Sequence, residues 1–241
     1  MRAIILAGGK GVRLAPVTEV IPKPLVPIGG RPIMEIVIRQ LQRHGFRHIT
    51  LAVGYMADLI RAYFGDGAKL GVKIDYSYES EPLGTAGPLA LINGLDDTFL
   101  VMNADVLTDF NYRDFLNSHK TYGGVATIGA YQRQVTIDLG VIKADGDHRV
   151  QAYIEKPTVS HLVSMGVYVF EPYILSYIRG TGYLDFPDLV NMLLREGQQV
   201  SYLPHRGYWL DIGRHDDYAQ AAEQFEDLNR KLGLLPAIMD G

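Results

Sequence analysis

Short, wholly apolar runs alternate with amphipathic stretches over the first half of the chain. RAIILAG, residues 2–8, shows no alternation and ends on glycine, which predicts a strand buried on both faces. Pro32 opens RPIMEIVIRQLQRHG, where Ile33, Ile36, Val37 and Leu41 recur at helical spacing and Gly45 closes the pattern. A helix with one apolar face is expected there. HITLAVG predicts a second strand, MADLIRAYFG a short helix and VKIDYSY a third strand. FLVMNADV is apolar at first and turns abruptly polar at Asn103 and Asp105. Strands alternating with helices at this spacing predict an α/β fold, a parallel sheet flanked by helices on both faces.

The rhythm changes after residue 120. GGVATIGAY, LGVIKAD, RVQAYIEKP and VSMGVYVFEP are strand-like with little helix between them, so the second half of the sheet is expected to be mixed and to carry the substrate lobe. FPDLVNMLLREG predicts an amphipathic helix and VSYLPHRGYWLDIG two strands. From His215 to Leu232 a last helix is expected, with Tyr218, Ala221, Ala222, Phe225 and Leu232 on one face. No repeat, low-complexity run or linker interrupts the chain, so residues 1–241 are read as a single domain.

Composition narrows the chemistry. The 241 residues suffice for a large core, and 47% hydrophobic with 21% charged residues is ordinary for a globular enzyme. A formal net charge of -4 argues against a general nucleic-acid partner. The absence of cysteine removes disulfides, thiolate metal sites and cysteine nucleophiles. The N-terminal apolar run is too short to span a membrane and lacks a leader's cleavage region, so no membrane partner and a cytoplasmic location are expected. The seven histidines are scattered, with no metal-ligand pair on one element.

The loop after the first strand, GGKGVRLAPVTEVIPKPLVPIGGRPI, holds the main signal. A glycine-rich turn lets backbone N–H groups approach phosphate oxygens. The P-loop pattern fails because Gly11, not Ser or Thr, follows Lys10, and the dinucleotide fingerprint fails at Leu14. That failure also disfavours an NAD-dependent dehydrogenase. Pro16, Pro22, Pro24 and Pro27 stiffen the long connection. A stiff loop bearing Arg13 and Lys23 suits a polyphosphate, one cation being a planar fork and the other a movable point charge. Asp105 and Asp211 both sit at strand ends, where open α/β sheets place ligand-binding groups. Each aspartate reads equally well as a simple cap; brought together, the pair suits Mg²⁺.

The stretch from Leu6 to Ile33 closely resembles the signature of the sugar-1-phosphate nucleotidylyltransferases. EPLGTAGPLAL at 81–91, NAD at 103–105, EKP at 155–157 and WLDIG at 209–213 follow in that family's order. EPLGTAGPLAL is most similar to the mannose-1-phosphate guanylyltransferases.

The resemblance implies a Rossmann-like, mixed, mostly parallel sheet without a C-terminal β-helix. Residues 1–112 would form a nucleotide-binding half, 113–213 a sugar-phosphate-binding half and 214–241 a helix and tail. It implies transfer of a nucleotidyl group from a nucleoside triphosphate to a sugar 1-phosphate, with Mg²⁺ held by Asp105 and Asp211. Arg13 and Lys23 would serve the triphosphate and the transferring phosphate. Leu6, Ala7, Gly8, Gly9, Gly11, Glu79, Pro82, Gly84, Thr85 and Asn103 would bind the nucleotide beside Arg13, Lys23 and Asp105. Gly84 would let the base approach the backbone. Gly140, Glu155, Lys156 and Ser164 would bind the sugar phosphate. A homodimer stays open.

Glu79 can accept two hydrogen bonds from guanine and one from uracil, which favours GTP and leaves UTP and dTTP as alternatives. Two departures stand out. Ala104 replaces a glycine, and Ser164-Met165-Gly166 replaces Asn-Ala-Gly. The second leaves the sugar open among mannose, another hexose, a heptose and a cyclitol. A non-catalytic nucleotide-sugar-binding paralogue is the rival reading, against which the set Arg13, Lys23, Asp105, Lys156 and Asp211 is intact.

Overall fold

The computed structural model of the chain describes residues 1–180 and 182–225, together with 227 and 229. Strand β1 (Arg2–Ala7) lies inside the main sheet, with Ile4 and Ile5 fully buried on opposite faces, as its unbroken apolar run demands. A short hairpin, β2 (Pro27–Ile28) and β3 (Arg31–Pro32), leads into α1 (Ile33–Arg43). Then follow β4 (His48–Val53), α2 (Ala57–Phe64), β5 (Lys73–Tyr78) and β6 (Phe99–Asn103). β1 pairs in parallel with β4 and β6, and β4 with β5. The hairpin falls within what the sequence suggested was a loop; β1, α1, β4, α2, β5 and β6 match the sequence reading within a few residues.

Two helices lie outside that reading, the four-residue Leu175–Ile178 and a longer one. After β7 (Val106–Thr108) comes α3 (Tyr112–Tyr122). Asn111 caps it by accepting from the amides of Arg113 and Asp114, and Gly123, at φ +69°, ends it. Only Tyr112, Phe115, Leu116 and His119 are buried on it. Its apolar stripe is thin.

The second half is mixed, as expected. β8 (Ala126–Thr136) and β11 (Thr158–Phe170) form a long ladder, with the hairpin of β9 (Val141–Ala144) and β10 (Val150–Ile154) between them in sequence. α4 (Leu175–Ile178), α5 (Phe186–Arg195), β12 (Val200–His205), β13 (Trp209–Asp211) and α6 (His215–Glu223) complete the described elements. The main sheet runs β12-β8-β11-β6-β1-β4-β5. β11 is antiparallel to both its neighbours and β12 is parallel to β8. The fold is thus the mixed, mostly parallel α/β sheet that was expected.

Alternate strand residues divide the core by face. Ile5, Leu100 and Met102 join α1, α2 and α3, while Ile4, Phe99 and Val101 join α4 and α5. A third cluster holds Leu14, Val26, Ile28, Leu107, Ile212 and Ala221. It corrects one expectation. Ile33 and Ile36 pack into this third cluster, whereas Val37 and Leu41 pack on the sheet. The apolar face of α1 is therefore split between two partners, and Met34 and Ile38 are buried too. On α6, Ala221 is buried and Tyr218 and Phe225 pack beside it, but Ala222 is exposed on the other side. Leu232 lies outside the described residues. Among those residues no helix is long and apolar enough to cross a membrane.

Candidate active site

The site lies at the carboxyl ends of β1 and β6. The amide of Ala104 donates to the Leu6 carbonyl at 3.1 Å, which ties the two strand ends together. Gly8 follows, and the Glu79 carboxylate lies where a Cβ on Gly8 would stand. Gly11 takes φ +65°, and its Cα side packs against Lys23, where a Cβ would lie 3.0 Å from the lysine Cβ. Glycine is needed at both places for close approach.

The long loop is not a solvated coil. It forms three short helical turns, Val12–Leu14, Val17–Glu19 and Lys23–Leu25. The Thr18 hydroxyl donates to the Gly11 carbonyl at 2.9 Å, and Leu14, Val26 and Ile28 are buried beneath.

Every residue expected on the nucleotide side lines one cleft of about 470 Å³. These are Leu6, Ala7, Gly8, Gly9, Gly11, Arg13, Lys23, Glu79, Pro82, Gly84, Thr85, Asn103 and Asp105. Burial raises the Glu79 carboxyl above its ordinary range, opposed by a hydrogen bond from the Leu83 amide.

Asp211 joins Asp105 through strand pairing. β13 runs antiparallel to β7, Asp211 stands opposite Val106, and the Ile212 amide donates to the Asp105 carbonyl at 3.0 Å. Lys23 Nζ is ion-paired with Asp105 Oδ2. Oδ1 of Asp105 and Oδ1 of Asp211 are both buried without a hydrogen-bond partner. Burial raises the Asp211 carboxyl, the charge of Asp105 adds to this, and Lys23 and Arg13 oppose it. Two carboxylates and two cations thus meet within one corner. Among the described residues no third histidine or carboxylate completes a metal-binding group with them. Ala104, at the departure from glycine, is buried and lines the cleft between Asn103 and Asp105.

Several lining residues escaped the sequence reading, chiefly Tyr183 and Asp185. Asp185 Oδ1 accepts from the amide of Thr85 at 2.9 Å and from its hydroxyl at 3.0 Å, and the Thr85 hydroxyl accepts from the Phe186 amide. The Tyr183 hydroxyl donates to Asp185 Oδ2 at 2.8 Å. Segment 182–186 therefore braces segment 83–87. No local pattern linked Asp185 to a partner a hundred residues away. Gly84 at φ +79° is explained by this brace, since a Cβ there would stand 2.5 Å from the Leu184 carbonyl oxygen. The protein backbone alone thus requires glycine here. Gly84→Ala is accordingly expected to lower stability by about 1–3 kcal/mol, the cost of one strained backbone position. Thermal unfolding of the variant measures it.

The residues expected on the sugar side do not line this cleft. Lys156, at φ +43°, pairs with Asp138 at 2.7 Å, and both are exposed. Glu155 is exposed beside it. Tyr153 occupies the space over Gly140, so that glycine packs on a tyrosine ring. Ser164 donates to the Tyr168 hydroxyl at 2.9 Å. Two residues on, Gly166 takes φ +71°, and a Cβ there would lie 2.7 Å from Asn103 Nδ2. The Ser164–Gly166 bend thus abuts the cleft from behind Asn103. Trp209 donates to the Met165 carbonyl at 3.0 Å and packs on Tyr131.

The chain is similar to known proteins along most of its length. The sequence profile of the family described as nucleotidyl transferase matches residues 2–227. The mannose-1-phosphate guanylyltransferase catalytic subunit beta of Danio rerio is 38% identical over 226 residues, covering 90% of this chain and 62% of that protein. The UTP–glucose-1-phosphate uridylyltransferase of Synechocystis sp. is 36% identical over 241 residues, covering 92% of this chain and 62% of that protein. The chain therefore spans under two thirds of the length of these relatives. The structure of HddC from Yersinia pseudotuberculosis complexed with GMP-PN is similar with a TM-score of 0.71 at 27% identity, covering 93% of this chain and 99% of that one. A match along nearly the whole chain places it in a family: this protein belongs to the nucleotidyl transferase family.

Proposed function

We propose that the chain transfers a nucleotidyl group from a nucleoside triphosphate, GTP by preference, to a sugar 1-phosphate such as mannose 1-phosphate, releasing pyrophosphate. The observation that carries this reading is the meeting of Arg13, Lys23, Asp105 and Asp211 at one corner of a nucleotide-sized cleft. A phosphate oxygen of the sugar phosphate attacks the α-phosphorus in line. The new P–O bond forms as the bond to the bridging oxygen breaks, and its electrons leave with pyrophosphate. No covalent enzyme intermediate is needed, so catalysis is positioning and charge stabilisation.

Arg13 grips the β- and γ-phosphates and stabilises the charge that grows on the leaving group. Lys23 serves the transferring phosphate. The two orphaned Oδ1 atoms of Asp105 and Asp211 are hard, anionic donors that would hold Mg²⁺. When bound, the ion neutralises charge shared between the α-phosphate and pyrophosphate. Lys23 balances the charge of Asp105. Lys156 reaches the sugar phosphate by leaving Asp138, and breaking so exposed a pair costs at most about 1 kcal/mol.

Mannose-type relatives named guanylyltransferases support guanine, and so does the GMP-PN complex of HddC. The uridylyltransferase relative keeps uracil as the competing base. Glu79 is the base reader in this proposal. A mismatched hydrogen bond in a desolvated site costs roughly 1–3 kcal/mol, about ten- to a hundredfold in affinity. The expected order is GTP, then UTP, with CTP and ATP poor, and Glu79→Gln should blunt GTP discrimination more than turnover.

The carboxyl of Glu79 is raised by burial. The GTP preference should therefore fall as pH drops through that raised value, because the protonated acid loses one acceptor. The same burial makes ionised Glu79 a cost to the fold, absent in acid and growing as pH rises through the raised value. The test is a pyrophosphate-release screen of four triphosphates against a panel of sugar 1-phosphates with Mg²⁺, repeated with Glu79→Gln across pH. No release with any pair overturns the transferase reading. A wild type preferring CTP or ATP overturns the base assignment.

A further inference from the structure

The loop from Gly11 to Arg31 carries both Arg13 and Lys23, and one helix holds it from outside. α6 starts directly after the Asp211–Gly213 strand end, with the Arg214 amide capped by Asp217 Oδ2 at 2.8 Å. Nε2 of His215 is 2.8 Å from the carbonyl oxygen of Ala15, two residues past Arg13. The Tyr218 hydroxyl donates to the Pro27 carbonyl at 2.9 Å. The Phe225 ring covers Gly29 so closely that no Cβ fits there. Ala221 is buried in the cluster that also buries Leu14, the residue after Arg13. At the root of the helix, a Cβ on Gly213 would lie 3.3 Å from Arg13 Nη1. The helix and its root thus touch the loop at its beginning, near its end and at the guanidinium itself.

The local structure around Arg13 does not account for its order. It sits on one three-residue turn, closed by the bonds Leu14 N–H to Gly11 O and Ala15 N–H to Val12 O. A turn this short is not stable alone, since nucleation fixes several dihedrals for each bond gained. The restraint comes from its packing partners.

We infer that α6 is a clamp that sets the position of Arg13 above Asp211, and that His215 is a positioning residue of the reaction. His215 anchors the carbonyl that leaves the Arg13 turn, while Tyr218 and Phe225 hold the far end of the same loop. The role of His215 in turnover rests on the reading that Arg13 acts on the triphosphate. The mechanical part, that α6 orders the loop, does not.

Two measurements test the two parts. In the ligand-free chain, amide hydrogen exchange should be faster across residues 11–31 in His215→Ala, and unchanged in β4 and β5. Unaltered exchange in the loop overturns the clamp whatever the chain catalyses. In turnover, His215→Ala should lower kcat about tenfold and raise KM for the triphosphate but not for the sugar phosphate, on the scale of a sub-ångström to 1 Å misplacement. His215→Gln, which keeps an N–H donor, should recover most of the loss. In an Arg13→Ala background the His215→Ala change should cost almost nothing more, because the two act as a unit. Losses that multiply, or a His215→Ala variant with wild-type turnover, overturn the coupling. A wild type that turns over no substrate pair sinks the transferase reading, and the exchange result still decides the clamp.

Discussion

Asp105→Asn and Asp211→Asn should each cut kcat by about a hundredfold or more, the scale on which enzymes lose a preorganised charge-stabilising group. Each variant removes a formal charge without changing the side chain's size. The loss should be largest where the metal is needed and should not come from unfolding. Asp211 is raised by burial and by Asp105, so its neutral replacement relieves a repulsion within the folded chain. Asp105→Asn instead leaves Lys23 without its carboxylate. Asp211→Asn is therefore expected to keep or raise Tm, and Asp105→Asn to lower it slightly. The measurements are steady-state pyrophosphate release over a Mg²⁺ titration, together with thermal unfolding. Near-normal kcat in either variant at saturating Mg²⁺ would remove that carboxylate from the proposed metal pair.

Arg13→Ala should also be severe, but in a different parameter. In the proposed reaction its guanidinium meets the leaving pyrophosphate, where its interaction would grow as charge develops. An interaction stronger in the transition state than in the ground state appears in kcat. A loss of about a hundredfold in kcat is expected, with a smaller effect on binding of the triphosphate. Lys156→Ala provides the contrast. Its ammonium pairs with Asp138 on the surface and is proposed to meet the sugar phosphate, so KM for that substrate should rise in addition to slower turnover. Full initial-rate kinetics against both substrates separate the two. If Arg13→Ala alters only sugar-phosphate affinity, the two ends of the proposed site are reversed.

Much of the fold was legible because the chain repeats simple periods. Apolar runs marked β1 and β6, and β4 apart from His48 and Thr50, since a strand covered on both faces has little polar side to show. The abrupt polar turn at Asn103 and Asp105 marked where β6 leaves the core. α3 was missed because its buried positions are few, and a thin stripe is overwhelmed by the polar residues between.

The candidate site divides along similar lines. The glycines at 8 and 11 and the cations at 13 and 23 lie in one stretch, so local spacing exposed them together. The sugar-side residues were carried by resemblance. Three of them sit on or beside the ladder of β8 and β11 and its hairpin, where local contacts with Asp138, Tyr153 and Tyr168 engage them.

The sequence by itself determined most of the main-sheet strands and the longer amphipathic helices, the stiffness of the cation-bearing loop and the strand-end placement of the two aspartates. These follow from short-range rules, because burial repeats every two or 3.6 residues and proline and glycine act on their own backbone. Only the tertiary structure decided which distant residues meet. Antiparallel pairing of β13 with β7 brings Asp211 to Asp105. Asp185 closes on Thr85, and His215 on Ala15, across one and two hundred residues. Such contacts have no local signature, because their partners are selected by the register of strands and the packing of whole helices rather than by neighbours in the chain.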